Sequence, residues 1–503
     1  MSEPEIGRRR LLGERWDQLS QAWRVPDVRR GMYGTLLIAI GSLTPAYLPR
    51  NSPWWPIMRG AHLDNAVAKV AFNLLVLAGV ALLVQAWFRL RPAGGVAHRT
   101  TETWHDLRHW AVLLIWGLPF LFAPPIFSHD AYSYAAQGWM LHNGVDPYQQ
   151  GPGVLPGGFA DQVAWVWRFT PAPYGPLALQ MSHLLVDLSG YDPYLAALMM
   201  RIPALVGVGL IGYCVPRVAS MMRVDPAFAA WFATLNPVLV IDFIGGAHND
   251  ALMMGLVVFA LLVAHKVHWG WLPAAVVIGV AAAIKQPALL AAFVLPLIRR
   301  PWRTWAPSDA AIVVFRAVVS MVVAGGVFAL ISVVSGLFFG WYNAVNVPGL
   351  VVTVSPFTVV GQGLRIVFDA VGWDQAAAVA VRYSRAVGLA VIVVVLAVGA
   401  VTVARRRPMT YLAWSYLTVA ICAPALHSWY VLWGGLLLPL ARPSVKVVRA
   451  AIVSTIVLLS YAAVNLSMRN GAVALGVAAL AAYGFQVWSH ERRTQAEMEA
   501  LDV

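Results

Sequence analysis

The chain has 503 residues, of which 59% are hydrophobic and only 12% are charged. Charged residues make up about 25% of a typical soluble protein, so this composition excludes an ordinary soluble domain. The net charge of +13 does not indicate nucleic-acid binding, because Lys and Arg cluster between apolar runs, as in proteins oriented by the positive-inside rule. Cys214 and Cys422 both lie inside apolar runs and indicate neither a disulfide framework nor a zinc site.

Residues 1–30 are polar and rich in Arg, which predicts a cytoplasmic N-terminal segment without a cleavable signal. Part of it, from Leu11 to Trp23, is amphipathic and either lies on the anionic membrane surface or forms a solvated tail.

Apolar runs of nearly twenty residues follow one another along the chain. They are too long and too continuous for barrel strands, so the sequence predicts an all-α polytopic membrane protein with about 13–14 transmembrane helices. The predicted helices are 31–48, 67–90, 108–127, 193–218, 226–243, 250–266, 271–284, 287–300, 311–337, 375–404, 409–427, 428–442, 448–467 and 471–490.

Basic clusters such as Arg405-Arg406-Arg407 define the topology expected of this chain. They predict a transmembrane domain over 31–490 in the plasma (inner) membrane, a cytoplasmic tail over 491–503, and both termini inside. Two large loops, 128–192 and 338–374, then lie on the extracytoplasmic side. Segment 174–190 is apolar enough to cross, but a crossing there would reverse the charge bias, so we expect a juxtamembrane or re-entrant helix.

The same topology brings four polar groups to the outer face. Most helices carry no charge, so the convergence of these four polar groups predicts one site near the outer membrane interface. The groups are Ser128-His129-Asp130 with Tyr132 and Tyr134, Gly245-Gly246-Ala247-His248-Asn249-Asp250, Lys285-Gln286, and His427-Ser428-Trp429-Tyr430.

Each polar group also has a purely structural interpretation. Asp130 and Asn249 (or Asp250) could cap helices, Lys285 could extend to lipid headgroups, and the 427–430 segment could belong to an aromatic belt. Arg201, inside an apolar helix, needs a partner or a polar cavity, and Asp242 is the candidate partner.

The residue types at this face suit a sugar carried on a lipid phosphate. A carboxylate can act as general base on a sugar hydroxyl, and a positive charge with backbone amides can stabilise a departing phosphate. Aromatic rings can pack on the apolar faces of sugar rings. The sequence contains no Walker loop and no dinucleotide-binding fingerprint, so a membrane-anchored donor is favoured over a nucleotide sugar.

Several segments carry a family resemblance, which covers roughly residues 31–490. The chain resembles the actinobacterial polyprenyl-phosphate-mannose-dependent α-1,6-mannosyltransferases, enzymes of the GT-C superfold that build the mannan backbone of lipomannan and lipoarabinomannan. The matching segments are Phe127 to Tyr134 with Gln137-Gly138, Gly144 to Tyr148 with Gly151-Pro152, Thr170 to Pro176, Leu235-Asn236-Pro237, Gly245 to Met253, Lys285-Gln286-Pro287, Ser355-Pro356 and Trp429-Tyr430.

The resemblance implies a role for each matching residue. Asp130 takes the position of the catalytic acidic residue, which implies a single inverting displacement with Asp130 as base. The resemblance also implies that Lys285, His248 and Asn249 lie near the donor phosphate; Arg201, a charge inside an apolar helix, is a further candidate for that phosphate. The residues expected to contact sugar or acceptor are Tyr132, Tyr134, Gln137, Tyr174, Asp250, His427, Trp429 and Tyr430.

The expected partners are a polyprenyl-phosphate mannose donor, a lipid-anchored mannan acceptor and membrane lipids. No cofactor is expected. A divalent metal stays open, because some GT-C enzymes use one; the first loop contains no Asp-x-Asp, but His248 and Asp250 could serve as ligands.

Two alternatives remain at the level of sequence. One is a GT-C transferase with a different lipid-linked sugar. The other is a lipid-linked sugar transporter or flippase, which the absence of a visible repeat and the location of polar groups at helix ends disfavour.

Overall fold

The computed structural model describes residues 3–44, 47–49, 52–92, 107–299, 307–344 and 354–501. The predicted segments 1–30, 338–374 and 491–503 therefore lie partly outside the described residues. Within the described ranges all regular structure is helical, as predicted.

The chain is divided into many helices of very different length. The α-helices are α1 (Glu3–Arg24), α2 (Pro26–Gly41), α3 (Trp55–Gly60), α4 (Ala66–Arg89), α5 (His109–Phe122), α6 (Asp130–His142), α7 (Gly158–Gln162), α8 (Trp165–Arg168), α9 (Pro176–Leu188), α10 (Pro193–Met199), α11 (Arg201–Met221), α12 (Pro226–Ala229), α13 (Asp250–Lys266), α14 (Trp271–Ala282), α15 (Leu290–Val294), α16 (Pro307–Val334), α17 (Pro356–Ala370), α18 (Asp374–Gly399), α19 (Pro408–Cys422), α20 (Val431–Gly435), α21 (Val445–Met468) and α22 (Gly471–Leu501). Short 3-10 helices span Pro152–Val154, Gln286–Leu289, Leu295–Leu297, Gly340–Ala344, Ser428–Tyr430 and Pro439–Ala441, and π-helical turns span Ala230–Thr234, Leu239–Gly245 and Ala400–Ala404.

Length and composition qualify six helices in the described ranges as membrane spans, and one bent pair adds a seventh if it is counted as a single span. The six are Ala66–Arg89, Pro193–Met221, Ser308–Val334, Asp374–Ala404, Val445–Met468 and Gly471–His490; the bent pair is Pro226–Thr234 with Leu239–Gly245. The protein is therefore a multi-pass membrane protein.

Other predicted spans are present as shorter helices, which is why the count is below the 13–14 expected. The helix predicted over 108–127 ends at Phe122, just before Pro124-Pro125. The one predicted over 226–243 breaks at Asn236-Pro237 and bends by 55°, because proline removes a helical hydrogen bond and clashes with the preceding turn.

Helix α9 occupies most of segment 174–190. It has 13 residues, about 20 Å at the usual helical rise, which is shorter than the hydrocarbon core. Helix α9 packs against α6 at Gly138, where a Cβ atom would lie 2.5 Å from the carbonyl oxygen of Ser182. It is thus a short helix held against α6.

A close backbone contact joins α11 and α13. A Cβ atom on Gly207 would lie 2.2 Å from the carbonyl oxygen of Ala251, and one on Gly255 would lie 2.6 Å from that of Gly207. Small residues of this kind let membrane helices approach closely. The contact positions Asp250, the first residue of α13.

We predict that Gly207→Ala destabilises the protein by about 1–3 kcal/mol, because the added methyl group forces the two backbones apart. The matched control is Gly209→Ala on the same helix, where a Cβ atom would meet nothing within 4 Å. That control should be neutral or slightly stabilising. Thermal unfolding in detergent, followed by tryptophan fluorescence, measures the difference; equal melting temperatures would contradict the proposed contact.

Candidate active site

Asp130 is the first residue of α6, and the two residues before it fix its position. Its backbone N–H donates to Oγ of Ser128 at 3.1 Å. The ring of His129 donates from Nε2 to the carbonyl oxygen of Tyr47 at 2.8 Å, so His129 has a structural task. The Asp130 side chain is 16% exposed.

The Gly-Gly-Ala-His-Asn-Asp turn lies directly against Asp130. The N–H of Ile126 donates to the carbonyl oxygen of Gly245 at 3.3 Å, which joins the two segments through their backbones. The turn passes through Ala247 at φ 58°, a conformation that non-glycine residues rarely adopt. It places Nδ1 of the buried His248 3.6 Å from Oδ2 of Asp130.

The last two residues of that turn do not cap helix α13 with their side chains. Asn249 is buried at the N-cap position, yet its side chain makes no capping hydrogen bond. Asp250 is fully buried and accepts hydrogen bonds from Lys285 at 3.0 and 2.9 Å, one on each carboxylate oxygen. The capping interpretation of these residues is therefore wrong.

Lys285 lies inside the protein, and the alternative that it extends to lipid headgroups is wrong. It is 9% exposed, and its ammonium group lies 4.5 Å from the ring centre of Tyr430, 5.4 Å from that of Trp433 and 5.8 Å from that of Tyr174. Aromatic faces attract a cation at such distances.

Trp433 is a further partner of the Lys285–Asp250 pair, and it is not among the site residues expected from the sequence. Its indole N–H donates to Oδ1 of Asp250 at 2.6 Å, while its ring stacks on Tyr430 at 4.5 Å. Trp433 stands inside an apolar run, which hides it. The only signal is its spacing, because it follows Trp429 by four residues and so shares a helical face with it.

His427, Trp429 and His248 form a ring stack beside this cluster. The ring centres of His248 and Trp429 are 3.7 Å apart, and those of His427 and Trp429 are 4.5 Å apart. Trp429 is only 5% exposed. In this arrangement it holds His248 against Asp130 and has no open ring face for a sugar.

The Tyr174 segment is fastened to the segment that carries Lys285. The N–H of Gly175 donates to the carbonyl oxygen of Ile284 at 3.0 Å, and the N–H of Leu177 donates to that of Ala283 at 2.9 Å. A Cβ atom on Gly175 would lie 2.2 Å from the carbonyl oxygen of Ala283, so glycine is required for this approach. The hydroxyl of Tyr148 donates to the carbonyl oxygen of Tyr174 at 2.8 Å. These contacts give structural roles to two matching segments of the loop 128–192, Gly144 to Tyr148 and Thr170 to Pro176.

Arg201 lies at the base of the Gly-Gly turn and does not pair with Asp242, contrary to the sequence interpretation. Its guanidinium donates to the carbonyl oxygens of Ile244 at 3.2 Å and Gly245 at 3.1 Å. Arg201 is 3% exposed, and its Nη1 has no hydrogen-bond partner among the described residues. Arg201 therefore supports the turn and keeps one donor free.

Tyr132, Tyr134 and Gln137 are buried along α6. Within the part of the chain that the structure describes, the hydroxyls of both tyrosines and Oε1 of Gln137 have no hydrogen-bond partner. The ring of Tyr134 meets that of Tyr174 edge-on at 4.9 Å, and the ring of Tyr132 meets that of His129 at 5.8 Å. Unpaired buried polar groups are uncommon and fit a site that binds hydroxyl groups.

Comparison with known proteins defines the family. A profile described as "Alpha-(1->6)-mannopyranosyltransferase, N-terminal domain" matches residues 28–300, and Glycosyltransferase family 87 matches residues 174–429. The chain belongs to the alpha-(1->6)-mannopyranosyltransferase family. The matched regions contain Asp130, His248, Asp250, Lys285 and Trp429, and the fold is that of a GT-C-type membrane glycosyltransferase.

Three relatives support the same family. Alpha-(1->6)-mannopyranosyltransferase A of Mycobacterium tuberculosis is 30% identical over 80% of this chain and 78% of its own length. A probable alpha-(1->6)-mannopyranosyltransferase of Mycolicibacterium smegmatis is 31% identical over 82% and 78%. Alpha-(1->6)-mannopyranosyltransferase B of Corynebacterium glutamicum is 26% identical over 82% and 72%. No solved structure matches the chain significantly.

Of the two residues considered as metal ligands near Asp130, Asp250 is already paired within the protein. Both oxygens of Asp250 are taken by Lys285, and the ammonium group would repel a cation. The described ranges contain one cluster of three side chains that could hold a metal, formed by His142, His183 and Asp187; neither His248 nor Asp250 belongs to it.

Burial decides the protonation states of Asp130 and His248, which face each other. Burial raises the pKa of Asp130 from 3.8 to about 6, with smaller opposing contributions from Ser128 and Lys285. Burial, followed by the charge of Lys285, lowers the pKa of His248 well below its usual value. His248 is therefore neutral at neutral pH and does not form an ion pair with Asp130.

We predict strong coupling between Asp250 and Lys285 in stability. Asp250→Asn and Lys285→Met should each cost about 3–5 kcal/mol, because each leaves one buried partner uncompensated. The double variant should lose much less than the sum. Melting temperatures of the four proteins in detergent form the double-mutant cycle, and additive losses would refute the coupling.

We predict that Asp130→Asn raises stability at pH 7.5. The folded protein holds the Asp130 proton more tightly than the unfolded chain, since the pKa rises from 3.8 to about 6. The stabilisation from protonated Asp130 is thus complete below about pH 3.8 and lost as the pH rises through about 6. Asn avoids this loss, which is on the order of 3 kcal/mol.

The measurement is the difference in melting temperature between Asp130→Asn and wild type at pH 4.5 and pH 7.5. The advantage of the variant should be larger at pH 7.5. A difference that does not change with pH would show that Asp130 has an ordinary pKa.

Proposed function

We propose that this protein transfers mannose from a polyprenyl-phosphate carrier to a lipid-anchored α-1,6-mannan acceptor, with inversion at the anomeric carbon and Asp130 as general base. The observation that carries this proposal is the position of the Asp130 carboxylate, 3.6 Å from a neutral His248 and beside the Lys285 cluster, in a chain of the mannopyranosyltransferase family.

The reaction requires one proton acceptor. An acceptor hydroxyl oxygen attacks the anomeric carbon of mannose, the hydroxyl proton passes to Asp130, and the bond to the phosphate oxygen breaks. The polyprenyl phosphate leaves with that electron pair. A carboxylate with a pKa of about 6 is a stronger base than an ordinary aspartate and is still ionised at neutral pH.

Arg201 supplies the positive charge best suited to the donor phosphate. The charge of Lys285 is already balanced by Asp250 at 2.9 Å. Arg201, in contrast, has no carboxylate within 4 Å among the described residues, and its Nη1 is unpaired. An anion that reached Nη1 would satisfy both its hydrogen-bonding capacity and its charge.

Lys285 then contributes mainly through the pair with Asp250, while His248 and Asn249 offer neutral polar groups. The unpaired hydroxyls of Tyr132 and Tyr134 and the amide oxygen of Gln137 are suited to sugar hydroxyl groups. In this proposal the site faces the extracytoplasmic side and both termini are cytoplasmic.

We predict that Asp130→Asn lowers kcat for mannose transfer by a factor of about 10²–10⁴, the usual contribution of a general base. The assay uses purified protein, labelled polyprenyl-phosphate mannose and short α-1,6-mannosides of defined length. The control is Asp192→Asn, which makes the same chemical change in the same loop; Asp192 caps α10 through Leu195, and Asn preserves that cap.

The pH profile gives a second readout. For wild type, kcat/KM should fall along a single-proton limb below about pH 6, where Asp130 takes up its proton. Transfer by Asp130→Asn at the wild-type rate would overturn its role as base. Translocation of the donor without consumption would favour the transporter alternative, and preference for another lipid-linked sugar would overturn the mannose assignment.

A further inference from the structure

A second polar cluster lies at the opposite end of α6 from Asp130. His142, in the last turn of the helix, is twelve residues from Asp130, roughly 18 Å along the helix axis. Its Nδ1 lies 2.9 Å from Oδ1 of Asp187, and Nε2 of His183 lies 3.6 Å from Oδ2 of the same carboxylate. The mechanism proposed for Asp130 does not use these residues.

We propose that His142, His183 and Asp187 bind one divalent transition-metal ion, best matched by Zn²⁺, which links α6 to α9. The proposal is independent of the mannosyltransfer mechanism. Its basis is that one ligand atom from each side chain lies within 4.8 Å of the other two.

These separations fit zinc coordination with small side-chain rotations. Zinc binds imidazole nitrogen at about 2.0–2.1 Å and carboxylate oxygen at about 2.0–2.2 Å, so ligand atoms in a tetrahedral site are about 3.3–3.5 Å apart. The two nitrogen–oxygen separations of 2.9 and 3.6 Å, each to a different carboxylate oxygen of Asp187, bracket this distance. Two imidazoles favour Zn²⁺ and its transition-metal neighbours over Mg²⁺ or Ca²⁺, which prefer oxygen ligands.

The cluster is held in position before any ion arrives. His183 and Asp187 are four residues apart on α9 and therefore share one helical face. The ring of His142 is stacked on Trp139 at 5.1 Å and lies 4.5 Å from the ring centre of Tyr191. A site whose ligands are oriented in advance loses less entropy on binding.

Charge and access also suit a cation. The three side chains are 31–39% exposed, so water can complete the coordination shell. In the described ranges Asp187 has ion-pair contacts with these two histidines only, and no Lys or Arg competes for its carboxylate. With neutral imidazoles the cluster carries one negative charge, which a divalent ion would offset.

An ion at this position would fasten the far end of the loop that joins the two helices. Residues 143–175 connect α6 to α9 and include Tyr174, which faces Lys285. The helices already touch at Gly138 and Ser182. A coordinated ion would add a second, stronger link and stabilise the folded loop.

The test uses the purified full chain carrying an affinity tag without histidine, stripped with EDTA and titrated with Zn²⁺ against a competing chromophoric chelator. Wild type should bind one ion per chain and gain thermal stability from Zn²⁺ but not from Mg²⁺. His183→Ala and Asp187→Asn should each weaken Zn²⁺ affinity at least about tenfold. That loss corresponds to about 1.4 kcal/mol of binding free energy.

The matched control is His268→Ala, which removes one imidazole from a turn outside the cluster and should bind Zn²⁺ like wild type. Co²⁺ substitution adds a visible absorption spectrum that should disappear in both cluster variants, a readout that does not depend on stability. The proposal is overturned if wild type binds no stoichiometric Zn²⁺, or if His183→Ala and Asp187→Asn bind it as tightly as wild type.

Discussion

The buried ion pair between Lys285 and Asp250 is the contact on which the candidate site depends. Two charges out of water are costly, and their attraction compensates only with good geometry and further hydrogen bonds. Here both carboxylate oxygens are used, the indole of Trp433 donates to one of them, and aromatic faces surround the ammonium group. The pair thereby joins three distant segments of the chain and fixes the start of α13.

Backbone contacts around this pair fix the position of Asp130. Gly207 lets α11 reach α13, Gly175 lets the Tyr174 segment reach Ala283, and Ile126 bonds to Gly245. Phe127 and Ala247 have φ 58° and stand just before Asp130 and His248, respectively. Such strained residues persist where the surroundings determine the conformation, which is common at functional sites.

The convergence of four polar groups could be predicted from sequence, because charged residues are scarce in the apolar helices and topology places the helix ends together. Which residues pair with one another inside the cluster could not be predicted from sequence. Asp250 could equally pair with Lys285 or cap helix α13, and nothing in the sequence decides between these roles. Trp433 looks like any apolar residue of its run. The helices predicted over 108–127 and 226–243 are shorter or broken in the structure, since hydropathy alone does not register the breaks caused by Pro124 and Pro237. The pairing of Arg201 with Asp242 failed because backbone carbonyls satisfied the guanidinium instead.

The charge balance of the site favours Asp130 as the reactive carboxylate. Asp250 is neutralised by Lys285, and a protonated His248 would similarly neutralise Asp130 and make it a weaker base. Burial and the nearby Lys285 charge keep His248 neutral, so it can orient the Asp130 carboxylate by polar contact without lowering its pKa as a full positive charge would. In the proposed mechanism Lys285 would contribute twice, by compensating the charge of Asp250 and by keeping the imidazole of His248 uncharged beside Asp130, the proposed base.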